Sequence, residues 1–214
     1  TLRGKYPHLG EIIEEIADRS PDSPGKVESF ADDLKEKVCR AEPTLKLFLQ
    51  HYATSVVMDG NRISKVIALE VTTGKPKVFR GKLFADCTGH GHLGAYAGAE
   101  FTIEKSNRMG MSNMWYYQDE KTAHPWAATP WALPLEVGDF PALAKSKSTI
   151  NDQPFMKGEW FWESGFNKDS IKDLELIRDW NLRAVYGAFS ALKLGKEKER
   201  HENSALKWVS FVGG

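Results

Sequence analysis

Apolar residues recur at helical spacing near the start of the chain and at strand-like spacing further on. GEIIEEIAD (10–18) predicts a short amphipathic helix. Val27, Phe30, Ala31, Leu34 and Val38 keep a helical period; Ser23-Pro24 supplies its start and Pro43 its end. From Thr44 the pattern changes to four apolar, β-branched runs: TLKLFLQ, YATSVVMDG, RISKVIALEVTTG and KVFRGKLFADCTG. Asp59-Gly60 and Thr73-Gly74 punctuate them as turns. The middle runs, residues 50–82, predict an antiparallel meander, and the outer two, TLKLFL and KLFADCT, predict buried strands of another sheet.

HLGAYAGAEF predicts a short Ala/Gly-rich helix or turn. The aromatic and Pro-rich stretch MWYYQDEKTAHPWAATPWALP predicts ordered loops or irregular strands. Residues 171–194 predict a long helix whose apolar face carries Ile171, Leu174, Ile177, Val185, Ala188, Phe189 and Leu192. Ser170 and Asp173 fit a capping box at its start. GKEKERHENS (195–204) reads as a charged surface loop, and LKWVSFVGG as a strand with no partner after it. That last feature, with the abrupt start at Thr1, suggests an interior piece of a longer protein.

Charge alters this picture little. Basic and acidic residues balance at 29 each, so nothing pulls the chain toward nucleic acid or an anionic surface. No run approaches the roughly 20 apolar residues of a membrane span. Cys39 and Cys87 make no disulfide framework and are expected to be free, inert thiols. No hydrolytic triad, paired-carboxylate motif or P-loop stands out.

Chemistry concentrates in KLFADCTGHGHLGAYAGAEF (82–101). Gly89-His90-Gly91-His92-Leu93-Gly94 matches the dinucleotide pattern G-x-G-x-x-G, in which small residues let backbone N–H groups approach a phosphate at a helix start. The rest of that fingerprint is missing. A ribose-binding acid belongs roughly 20 residues on, where Asn107, Arg108, Met109, Gly110 and Met111 stand. The following helix is also too short for a βαβ crossover. The competing reading is a Gly-rich turn that merely packs closely. His90 and His92 could supply two metal ligands, but a site needs three or four, and His8, His51, His124 and His201 are scattered; no metal site is expected. Trp115, Tyr116, Tyr117, Trp126 and Trp131, then Trp160, Phe161 and Trp162, either line a substrate pocket or pack a core.

The order of these features resembles the FAD-dependent oxidoreductases. LFADCTGHGHLGAYAGAEF looks like the family segment in which a strand ends in Ala-Thr-Gly or similar. The preceding meander resembles the family's apolar strand, Val/Ala-Thr strand and hairpin, and IKDLELIRDWNLRAVYGAFSALK resembles the long helix that follows. The likeness runs well through residues 40–104 and moderately through 158–214.

The resemblance implies α/β architecture, α+β within this stretch: part of a Rossmann-like FAD-binding domain of the glutathione-reductase type, with an antiparallel meander inserted (residues 1–104), then part of a substrate or cap domain (105–214). It implies FAD as cofactor and hydride transfer from an unidentified small organic substrate to flavin. Ala53 stands where the family backbone clamps adenine. Cys87, Thr88 and Gly89 stand where the turn passes the FAD diphosphate and adenosine, with His90 and Gly91 beside them. His90 and His92 depart from the Asp or other polar residues of many relatives. The principal FAD contacts would lie before Thr1 and after Gly214, so the piece alone is expected to be inactive. Residues 44–50 and 82–88 would then lack neighbouring strands, leaving edges through which copies could associate. Rival readings are an NAD-binding domain using Gly89, Gly91 and Gly94 directly, and a non-catalytic interaction module.

Overall fold

The β-branched runs after Pro43 form the meander their alternation predicts. In the computed structural model, which describes residues 10–17, 30–136, 139, 163–196 and 198–214, β1 (His51–Asp59), β2 (Arg62–Glu70) and β3 (Pro76–Arg80) pair antiparallel in that order. Asp59↔Arg62 closes the first hairpin around Gly60, whose φ of +56° suits glycine. Thr54 and Ser64 fall at the two register shifts, and their hydroxyls bond across the strands to the Ile67 and Val57 carbonyls. Val66 and Ala68 of β2 are the buried strand residues of this sheet.

The N-terminal helices are short. α1 spans Glu11–Ile16, and α2 spans Asp32–Ala41 with no buried residue. The expected start of α2 at Ser23-Pro24 lies outside the described residues. Phe30, just before α2, meets Trp208 edge-on at 5.7 Å.

The second half is organised around α4 (Leu174–Leu194). Its apolar stripe meets a two-stranded antiparallel sheet of β5 (Trp115–Asp119) and β7 (Ser204–Val209). Trp115, Tyr117, Val185, Ala188, Phe189 and Leu192 form the core there. Phe189 sits 4.6 Å from the Trp126 ring and 5.8 Å from that of Tyr117. A fully buried Val, Leu or Phe side chain among them contributes about 1.5–3 kcal/mol. A smaller cluster of Met111, Leu174 and Ile177 takes in Tyr52 of β1, which brings the meander against the start of α4. A short pair, β4 (Met111–Ser112) with β6 (Glu163–Ser164), lies beside it.

Several expectations need correction. TLKLFL and KLFADCT carry no strand pairing among the described residues, and Leu45, Phe48, Leu49 and Leu83 are exposed, Leu83 by 88%. The terminal run takes its partner from earlier in the chain: Trp115↔Val209 through Asp119↔Ser204 pair it with β5. The capping box on Ser170 does not form: α4 has Asp173 as N-cap with no side-chain cap bond, and the turn before it is held by Asp169. The Asp169 carboxylate accepts from the Ile171 and Lys172 N–H groups, while Asp173 accepts from the Asp169 N–H. Residues 195–204 are not simply a surface loop. They contain a 3₁₀ turn (Lys198–His201), and His201 and Ser204 are buried. The cause is Lys193, whose buried ammonium donates to the carbonyls of His201, Glu202 and Ser204 at 2.8, 2.8 and 2.9 Å. The architecture is α+β, and the strand pairs among the described residues are all antiparallel.

Candidate functional site

Asp86-Cys87-Thr88 is an Asx-type turn, a conformation Asp favours because its carboxylate can bond the backbone two residues on. The Asp86 carboxylate accepts from the Thr88 N–H at 3.0 Å and the Thr88 hydroxyl at 2.7 Å. Its other oxygen accepts from the Gly94 N–H at 3.0 Å. Thr88 Oγ1 in turn accepts from the His92 N–H at 2.9 Å. The result is a closed knot at the start of α3 (His92–Tyr96). Partial burial pushes the Asp86 carboxyl up, but the bonds from the Thr88 side chain and from the Gly94, Thr88 and Leu93 backbones outweigh it and hold the carboxyl below its ordinary value.

Gly89 and Gly91 flank His90 with φ of +83° and +71°. A side chain at either would meet nothing within 4 Å, so both present bare backbone to open space. Thr88 is partly buried, while Cys87, Gly89, His90 and Gly91 are exposed. Both cysteines are free, and Cys87 is a surface residue, not a buried one. Ala53 lies on β1 opposite Ala68, next to the bulge at Thr54. α3 packs on β1, so the fold sets the strand of Ala53 beside the helix that follows the glycine turn.

This geometry decides between uses of the glycines. A helix start can hold a phosphate only if its N–H groups are free. Here His92 gives its N–H to Thr88 and Gly94 gives its N–H to Asp86. Gly89 and Gly91 offer bare backbone. A pyrophosphate cradle at the start of α3 would lack the donors already engaged there.

The sequence reading passed over Asp86, whose signal was the Asp-x-Thr spacing, and Tyr52 and Tyr96, which carried none. The His92 ring is buried at 1% exposure and stacks on Tyr96 at 6.1 Å. Tyr52, beside Tyr96, has its phenol pushed up to about 12 by burial, then by Tyr96 and Glu175, against the lowering effect of Arg178. The Arg178 guanidinium lies over the Tyr52 and Phe211 rings at 5.5 and 4.1 Å and pairs with Glu175. Among the described residues, no group of three His, Cys, Asp or Glu side chains is placed to hold a metal ion. Trp115 and Tyr117 of the aromatic stretch are core, and Trp126 packs on that core. Trp160, Phe161 and Trp162 lie outside the described residues.

A family model described as FAD dependent oxidoreductase matches residues 8–211. The chain belongs to that family. Its cofactor is accordingly FAD, and the match spans both the meander and the α4 half. No curated protein and no solved structure matches the chain.

Proposed function

We propose that this chain is the segment of an FAD-dependent oxidoreductase that borders the flavin nucleotide through Ala53 and the turn Cys87-Thr88-Gly89-His90-Gly91, and that it is inactive by itself. The carrying observation is the pair of left-handed glycines with open space where side chains would stand, on a turn rigidified by Asp86. FAD supplies the redox chemistry when bound, acting on a small organic substrate. The residues of this chain contribute a close-approach surface. Thr88 and Asp86 spend their hydrogen bonds on the turn itself, which leaves the backbone of Gly89 and Gly91 to meet the nucleotide. With the helix N–H groups occupied, the pyrophosphate is held by residues other than these.

The unpaired segments 44–50 and 82–88 support the same reading, since apolar residues such as Leu83 stand uncovered there. In isolation the chain is expected to associate with copies of itself through them. Neither nucleic acid nor a membrane is proposed as a partner.

The test is flavin retention by the holoprotein after purification, read from flavin absorbance. Gly89→Val and Gly91→Val should lose flavin while keeping the far-UV circular dichroism of the parent. Full retention by both variants would remove the turn from the nucleotide site. Turnover by the isolated 214-residue chain supplied with FAD would refute its inactivity.

A further inference from the structure

We propose that His92 is a positioning residue: its neutral, buried ring, stacked on Tyr96, pins the start of α3 behind the glycine turn, and protonation releases that clamp, so the protein's grip on flavin weakens in acid. The effect on flavin rests on the placement of the turn proposed above; the clamp itself does not.

The His92 ring has only 1% of its surface exposed. Its Nε2 is sealed from solvent with no partner. A neutral imidazole has only one N–H to place and leaves the other ring nitrogen bare. A protonated ring has two, and the second would be a buried, charged donor with nothing to receive it. The ring stacks on Tyr96 with planes 15° apart, and the His90 ring lies 5.7 Å away. Leaving the pocket would therefore disturb α3, and with it the Thr88–His92 bond that closes the turn.

The surrounding charges agree. Burial, then His90, disfavour the imidazolium; Ser170 and Asp86 favour it but do not prevail, and the ring is held below its ordinary value. On the facing elements, Tyr52 of β1 and Glu175 and Arg178 of α4 act on Tyr96 or on one another, and Glu175 and Arg178 are paired. The sign follows from linkage. With the folded value below the ordinary 6.5, the clamp is at full strength above about that pH. It weakens as pH falls from there toward the folded value.

The experiment measures two quantities on the holoprotein between about pH 7.5 and about pH 5. One is the melting temperature, and the other is flavin release by fluorescence. The parent should lose melting temperature and release more flavin as pH falls. His92→Gln should flatten both profiles. Should that variant fold poorly, His90→Gln is read by its melting profile alone, because His90 belongs to the turn proposed to border the nucleotide. It should make the acid loss shallower, because the closed form then tolerates the proton better. Parallel pH profiles in parent and variants would overturn the clamp. If melting responds to His92 but flavin release does not, the clamp stands, and its effect on flavin is overturned along with the placement of the turn.

Discussion

The Asp86 carboxylate reaches eight residues along the chain to accept the Gly94 N–H at 3.0 Å. The same carboxylate holds Thr88, so one side chain ties both ends of the glycine turn. A turn built this way is rigid without needing a ligand to order it. Its glycines can then stay bare.

Asp86→Ala should therefore loosen the turn. Lost caps cost about 0.5–2 kcal/mol, and solvent exposure of this carboxylate puts the effect at the low end, about 0.5–1 kcal/mol. Its folded carboxyl is held low, so its contribution is present above the ordinary 3.8 and is lost as pH falls through the folded value. Acid titration of stability should show a shallower loss for Asp86→Asn than for the parent. Equal slopes would mean that the bonds to Thr88 and Gly94 carry no stability.

Asn181 is a buried amide in the apolar stripe of α4. Its nitrogen donates to the Met111 carbonyl at 2.8 Å and to Asn113 Oδ1 at 3.1 Å, and its oxygen accepts from Ser164 Oγ at 2.5 Å. Asn181→Leu should cost about 2–4 kcal/mol, because the groups it leaves unpaired are buried. Chemical denaturation would register this as a lower midpoint at unchanged slope.

Lys193→Met tests the other buried polar group of α4. Methionine fills similar space but leaves three carbonyls without their shared donor. A loss of roughly 2–4 kcal/mol is expected, with early opening of residues 198–204 in hydrogen exchange. Parent-like protection there would show that the 3₁₀ turn does not depend on the ammonium.

Gly187→Ala sets two effects against each other. Helix propensity favours alanine by about 1 kcal/mol. Its Cβ, however, would overlap the Leu133 carbonyl oxygen, and that loop is pinned by the Leu133 N–H to Arg183 carbonyl bond and by Arg183 Nε to the Trp131 carbonyl. Overpacking of this kind costs about 1–3 kcal/mol, and a backbone obstacle cannot rotate away. A net fall in melting temperature is expected; a rise would show that the 128–135 loop yields freely.

The local elements were legible because their causes are local. Alternating β-branched residues with Asp59-Gly60 and Thr73-Gly74 specify the meander, and the period of Leu174, Ile177, Val185, Phe189 and Leu192 specifies α4. The glycine turn was recognisable from its spacing. Its use was not, because whether the N–H groups of α3 are free depends on where the Asp86 and Thr88 side chains fold back.

Sequence alone thus determined the meander and α4, but it also expected strands at 44–50 and 82–88 that do not pair among the described residues. Tertiary structure decided what no window of sequence contains. It paired Trp115 with Val209, 94 positions further along the chain. It also buried Asn181 and Lys193, polar residues that are tolerated in a core because distant carbonyls and side chains converge on them, and His92, whose Nε2 it leaves without a partner. The physical reason is the same throughout: backbone preference acts over a few residues, whereas a buried hydrogen bond needs partners that only the folded chain brings together.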